Sequence, residues 1–354
     1  MTAWKEWLDK ALGELEARDQ LRSLEPIEPV DAVHVRSKGH PLTLFSSNDY
    51  LGLSHHPEVR RAVTESVQKV GLGPRGSALV CGYTTSHAAL ERELAGLKGC
   101  EDALLFPTGF AANMAVISSL AGPDVAIFSD ALNHASIIDG CRLAKRRGAT
   151  LDVYAHGDTD ALDELLRRSD ASKKLIVTDT VFSMDGDLAP LDKLAELKRE
   201  HDALLVVDEA HGTLVFGEHG GGVAEHFGVE DDVDVHVGTL SKAVGALGGF
   251  AATSTKLRQW ILNRGRAFVF STAQPVPVVE SARAALRVAA EQPEVRRRLW
   301  QRIEQLGDRL GRTLTSPIVP IVLGEEARAL AASQKLLDEG FHVIAIRPPT
   351  VAPG

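Results

Sequence analysis

The chain has 354 residues, 44% hydrophobic and 25% charged, the usage of an ordinary globular protein with room for one large domain beside a smaller one. Its formal net charge of -9 argues against a nucleic-acid groove. The basic runs Lys145-Arg146-Arg147 and Arg296-Arg297-Arg298 read as solvated helix faces. Three cysteines outside any C-x-x-C motif point to reduced thiols and a cytoplasmic protein, and no apolar run reaches membrane-spanning length.

In chain order, an amphipathic helix is expected over about residues 3–20, and "LTLFSSNDYLG" reads as a short strand entering a turn. From about residue 58 to 275 helices alternate with short apolar strands. The strands are "DALLFP", "VAIFSD", "KLIVTD", "ALLVVDEAH" and "VDVHVG", with helices such as "LDKLAELKREH" between them. Near-continuous apolar strands separated by helices predict a mostly parallel sheet covered on both faces. Ligands of such sheets lie beyond the carboxyl ends of the strands, where Asp130, Asp179, Asp208 and Gly238 fall. Past Pro275 and Pro277 a long helical stretch, residues 279–310, leads to "SPIVPIVLG" and "GFHVIAI", two expected strands around another helix. The expected division is an N-terminal helix and arm over 1–50, a large domain over 51–275, and a linking helix with a small α+β domain over 276–354.

Two motifs mislead when read by letter. "VVDEAHG" ends like the metal-binding strand of an ATPase, but that chemistry needs a G-x-x-x-x-G-K-[ST] loop, and the chain contains no Gly-Lys dipeptide. "GLGPRG", residues 71–76, matches G-x-G-x-x-G. The dinucleotide fingerprint must follow a strand and open a helix, whereas "PEVRRAVTESVQKV" before it has helical periodicity. No H-E-x-x-H pair offers a metal site.

The remaining constellation has a different chemistry. "VGTLSKAVGALGGF" puts Lys242 in a small-residue loop after a strand, and Asp208 ends a neighbouring strand with His211 three residues on. Alone, Lys242 reads as a surface lysine. Paired with a strand-end carboxylate, it supplies what pyridoxal 5'-phosphate (PLP) requires: an amine for the aldehyde and an acid for the pyridine nitrogen. "FPTGFAANMAV" opens a helix directly after a strand, and free N–H groups there suit a phosphate. "LNHASIIDG" puts His134 at another strand-to-helix turn, where an imidazole can lie on the pyridine face.

These segments, with "FSSNDYLGLSHHPEV", "CGYTTSHAALERELA", "VTDTVFSMDGDLAPL" and "IRPPTV", resemble the α-oxoamine synthases, PLP enzymes of the aspartate-aminotransferase fold. The resemblance runs from about Trp4 to the last residue. It implies an α/β fold of type I: a large domain with a mostly parallel seven-stranded sheet between helices, plus a smaller α+β domain. It further implies that Lys242 carries the cofactor as a Schiff base, Asp208 partners the pyridine nitrogen, His134 stacks on the ring, and His211 with Ser183 lies at the ring-hydroxyl edge. Lys242, His134, Asp208 and His211 are thus the expected catalytic residues. Gly109, Phe110, Thr239 and Ser241 match the phosphate side, and Thr272 the residue lent across a homodimer interface. Arg22, Asn48 and Arg347 match substrate-binding positions.

The implied reaction joins an amino acid to an acyl thioester with loss of carbon dioxide. "IRPPTV" favours the branch that uses L-alanine and a pimeloyl-CoA or pimeloyl-carrier-protein thioester over sister branches that use glycine and a short acyl-CoA. The family continues past "RPPTV-x-PG" with a basic strand and a closing helix, so the small domain is expected to be incomplete, and "GRTLTSPIVP" to be a shortened connection. A plant-type member would carry a peroxisomal address beyond this end; otherwise a cytoplasmic enzyme without nucleic-acid or membrane partners is expected.

Overall fold

The fold is described from a computed structural model, over residues 2–352. The strands, in chain order, are β1 (Glu28–Pro29), β2 (His34–Ser37), β3 (His40–Leu44), β4 (Asp102–Phe106), β5 (Val125–Asp130), β6 (Thr150–Tyr154), β7 (Lys173–Asp179), β8 (Ala203–Asp208), β9 (Val235–Thr239), β10 (Gly249–Thr253) and β11 (Phe341–His342). The chain forms two compact units, Asp49–Val319 and Met1–Asn48 with Pro320–Gly354.

The larger unit is built on a seven-stranded sheet in the order β4-β10-β9-β8-β7-β5-β6. Pairs from β9 through β6 are parallel, and β10 runs antiparallel to both β9 and β4. Alternation along each strand explains the apolar runs. In β8, Leu205 and Val207 enter one core with Phe128 and Ile176. Val206, between them, enters a second core with Ile127, Leu175 and Val177. Successive side chains point to opposite faces, so a strand covered on both must be apolar at every position. Cutting the fully buried Phe128 to Ala would cost about 3–5 kcal/mol.

All five strands expected within residues 58–275 are present, and two more complete the sheet. The "TLDVY" strand β6 lies at the edge, where only Tyr154 is fully buried, so it lacks the apolar run of its neighbours. The "GFAAT" strand β10 sets small residues around the single bulky Phe250 and reverses direction, and neither property marks a buried parallel strand. The helical stretch 279–310 is two helices, Val276–Glu291 and Glu294–Leu310. Pro293 follows Gln292, whose φ -125° and ψ 67° lie outside the α region, which a following proline disfavours. Both helices fall within the larger unit, and the first buries Val279, Ala282 and Ala285 in its core.

"GLGPRG" forms a loop after the helix Pro57–Val70 and before the turn at Ala78, a context without the strand a dinucleotide fingerprint needs. The smaller unit carries the sheet β1-β2-β3-β11, with β11 parallel to β3. "SPIVPIVLG" forms no strand, because Pro317 and Pro320 remove ladder donors. "GFHVIAI" contributes only the two residues of β11.

Candidate active site

The strand ends of the larger unit converge as expected. In the β7–β8 register Asp179 sits opposite Asp208, and Asp208 opposite Val237 of β9. Asp208 is buried; its Oδ1 accepts from Ala210 N at 2.7 Å and its Oδ2 from Asn113 Nδ2 at 2.6 Å.

The turn after Asp208 presents His211 to Lys242, with His211 Nε2 2.6 Å from Lys242 Nζ and His211 Nδ1 2.7 Å from the Tyr50 hydroxyl. Burial, helped by the charges of Lys242 and His134, lowers His211 to about 2. The ring is therefore neutral at pH 7 and has one N–H. When it accepts the amine's hydrogen bond at Nε2, that proton sits on Nδ1 and is donated to Tyr50. Lys242 is pulled below its ordinary value by burial, against the opposing pull of Asp208 and Asp179. The loop holding the lysine closes through Gly245, at φ +71°, where a Cβ would stand 2.4 Å from Ser54 N. Only glycine fits both the backbone and the space there.

His134 caps the helix Ala135–Arg146. Its Nδ1 faces Ser136 Oγ at 2.8 Å and Ser136 N at 3.3 Å, so Nδ1 accepts and Nε2 carries the proton. Its backbone N donates to Asp179 Oδ2 at 2.6 Å. Burial lowers its pKa, with Asp208 opposing and Lys242 assisting. Asp179 is pushed well above the carboxylate range by burial and by the charge of Asp208. The Phe110 ring stands edge-on to His134, with centroids 6.4 Å apart.

A third corner is the start of the helix Gly109–Leu120, where Thr108 Oγ1 accepts from Ala111 N at 3.0 Å. The N–H groups of Gly109 and Phe110 stand at this helix start, where no intrahelical carbonyl is available. A Cβ on Gly109 would lie 3.2 Å from Thr239 Cβ, so glycine lets the helix start approach β9. Thr239 Oγ1 donates to Gly248 O at 2.8 Å, and Ser241 Oγ lies 2.7 Å from it.

The remaining expected residues are more dispersed. Ser183 is half-buried in the turn after β7. Thr272 is exposed and bridges Ser77, while Ala273 N donates to Gly76 O at 2.9 Å. Arg22, Asn48 and Arg347 belong to the smaller unit. There Arg22 donates to Thr350 Oγ1 at 3.1 Å and Arg347 to Asp19 O at 2.6 Å.

Asn113, Ser136 and Tyr50 join the site without having been singled out in the sequence. Asn113 Nδ2 donates to both Asp208 and Ser136, the latter at 2.9 Å. Away from this centre, Asp163, Glu200 and His201 bring ligand atoms within 4.8 Å of one another. Arg167 already pairs with both acids, at 2.6 and 3.6 Å.

A family model described as aminotransferase class I and II matches residues 40–354. The chain belongs to this family. Within it the chain is similar to 8-amino-7-oxononanoate synthase of Arabidopsis thaliana, 50% identical over 95% of this chain and 74% of the relative. The enzyme of that name from Anaeromyxobacter dehalogenans is 48% identical over 99% of this chain and 88% of its own. A solved serine palmitoyltransferase from S. paucimobilis, with bound PLP-myriocin, superposes with a TM-score of 0.90. It is 31% identical and covers 97% of this chain and 91% of its own. This family member is thus an α-oxoamine synthase by its neighbours, with the type I fold. Among the described residues, no helix is long and apolar enough to cross a membrane.

Proposed function

We propose that this family member condenses L-alanine with a pimeloyl thioester, releasing carbon dioxide and the free thiol and forming 8-amino-7-oxononanoate. The observation that carries the reading is the pairing of Lys242 Nζ with neutral His211, 2.6 Å apart, beside the buried carboxylate of Asp208. The chain's similarity to relatives of that name supports the choice of substrates.

The donor set fits PLP. Gly109 and Phe110 N–H groups, with Thr239 and Ser241, would hold its phosphate at a helix start. Asp208 would hold a proton on the pyridine nitrogen, His134 would lie on the ring, and His211 and Ser183 would serve its hydroxyl edge. When bound, PLP supplies an electron sink for a carbanion at the substrate Cα.

Lys242 is the amine that would hold the aldehyde and, once freed by substrate, move the Cα proton. Its lowered pKa keeps more of the unprotonated amine available near neutral pH than an exposed lysine would offer. Neutral His211 does not compete for that proton, and its contact with Tyr50 fixes the ring's orientation. Asn113 and the backbone of Ala210 hold both oxygens of Asp208, so the carboxylate meets the cofactor in one geometry. The low pKa of His134 keeps its ring uncharged, which suits stacking on a protonated pyridine. Arg22, Asn48 and Arg347 are proposed to bind substrate.

A homodimer is also proposed. The loop that includes Leu79 and Val80 and the segment that includes Phe270 and Thr272 expose large apolar side chains beside paired backbone, the kind of patch that marks an interface. Free thiols at Cys81, Cys100 and Cys141 support a cytoplasmic site of action.

The test is to incubate PLP-loaded protein with L-alanine and pimeloyl-CoA and to measure thiol and carbon dioxide. Parallel arms with glycine and with acetyl-CoA read specificity; release in the glycine and acetyl-CoA arms alone would replace this reading. Sedimentation of the active protein as a monomer would remove the dimer.

A further inference from the structure

His156 lies two residues past the edge strand β6 and takes no part in the site described above. Its Nδ1 is 3.0 Å from Asp130 Oδ1, and its Nε2 is 2.8 Å from Asp187 Oδ2. A neutral imidazole has one N–H and one lone pair. With carboxylate oxygens at both nitrogens, a neutral ring would set a lone pair against one of them, and only the doubly protonated ring donates to both. The Phe182 ring stands edge-on to the imidazole, centroids 4.2 Å apart at 82°, and fixes its plane.

The two carboxylates belong to different loops of the site. Asp130 ends β5, is buried, and also accepts from Leu132 N at 2.8 Å and Gly157 N at 2.9 Å. Four residues on is His134. Asp187 closes the turn that carries Ser183, with Phe182 N donating to Asp187 O at 3.0 Å. We propose that His156 is a positioning residue: a charged strap that ties the Asp130–His134 segment to the Ser183–Asp187 turn and so fixes the residues that would flank the cofactor ring. The proposal rests on the PLP reading of the site.

The titratable groups around the strap agree with a charged ring. Burial works against the imidazolium, but the hydrogen bonds and charges of Asp187 and Asp130 outweigh it, and the pKa is raised. The charge of Asp130 also acts on Tyr154 of β6, whose phenol burial pushes up, and on Asp179 at the end of β7. Since the folded pKa is raised, the strap is complete at lower pH and is lost as pH rises through that value.

The test uses histidine-¹⁵N-labelled protein, the variants His156→Gln and Asp187→Asn, and PLP binding followed from pH 6 to 9, with melting curves as a folding control. In the parent both ring nitrogens of His156 should be protonated at pH 7, assigned by their loss in His156→Gln. Asp187→Asn should lower the pH at which that ring titrates. PLP affinity of the parent should weaken as His156 loses its proton. His156→Gln, folded, should bind PLP roughly tenfold more weakly, the scale of one lost charge-assisted hydrogen bond, with that pH dependence gone. A singly protonated His156 at pH 7, a titration unmoved by Asp187→Asn, or unchanged affinity and pH dependence in His156→Gln would each overturn the proposal. None of these readings uses turnover, so failure to condense alanine with pimeloyl-CoA would count against the proposed reaction and leave the strap standing.

Discussion

Asn113 holds Asp208: its Nδ2 donates to Asp208 Oδ2 at 2.6 Å from the helix that begins at Gly109. One side chain therefore connects the proposed phosphate corner to the proposed pyridine partner. Asn113→Ala would leave Oδ2 without that donor and the carboxylate held only by Ala210 N at Oδ1. Hydrogen bonds to charged groups are worth about 1.5–3 kcal/mol, so kcat should fall roughly 10- to 100-fold in a protein that still melts cooperatively. Steady-state kinetics on the PLP-loaded variant check this, and an unchanged kcat would show the bond to be idle.

Lys242→Ala separates holding the cofactor from using it. The proposed phosphate corner combines the N–H groups at the helix start with Thr239 and Ser241, none of which the substitution removes, so the variant should still bind PLP, but without a covalent link. Borohydride reduction followed by peptide mapping should tether PLP to Lys242 in the parent and to nothing in the variant. Turnover should drop by at least the roughly 10²–10⁴-fold typical of a lost acid–base group. PLP found on another lysine would withdraw the site assignment.

Tyr50→Phe tests the far end of the Lys242–His211–Tyr50 hydrogen-bond chain. Removing the hydroxyl leaves His211 Nδ1, now 2.7 Å from Tyr50, without its partner inside a buried site. An unsatisfied buried donor costs about 1–3 kcal/mol. The ring should then turn or change tautomer, and the pH at which the Lys242–PLP link titrates should move. The absorbance of the bound cofactor followed against pH reads this; an unmoved titration would confine Tyr50 to packing.

How much of this was legible in the sequence depends on distance along the chain. Asp208, His211 and Lys242 each end or follow a strand, so their convergence follows from the parallel sheet alone. Asn113 was visible in "FPTGFAANMAV", but its partner lies 95 residues away and Tyr50 is 161 residues from His211. No local pattern encodes such pairings. The strand β10 was hidden because "GFAAT" opens on Gly249, where a Cβ would stand 2.4 Å from Thr108 O, and has only Phe250 as a bulky apolar residue. Close approach, rather than apolar bulk, requires the glycine there. The opposite error came from "SPIVPIVLG", whose β-branched residues suggest a strand that its prolines forbid.

Acid stability offers a test of the core that is independent of the cofactor. His236 in β9 is fully buried; its Nε2 donates to Glu230 O at 3.3 Å, and burial with the nearby charge of Lys98 lowers its pKa to about 3. The folded protein therefore keeps this ring neutral, while the unfolded chain takes up a proton near the ordinary value of 6.5. Below that value the unfolded state binds more protons, so stability falls as pH drops from about 6.5 toward 3 and is regained on raising it. Between pH 7 and 5 the loss from this one group is about 2 kcal/mol. His211, lowered to about 2 by burial, adds a loss in the same direction. His236→Gln cannot titrate and keeps a donor for Glu230 O, so its stability should change less over that range. Urea unfolding of both proteins at pH 7 and pH 5 measures the difference; equal losses in the two would mean that His236 is already protonated in the fold.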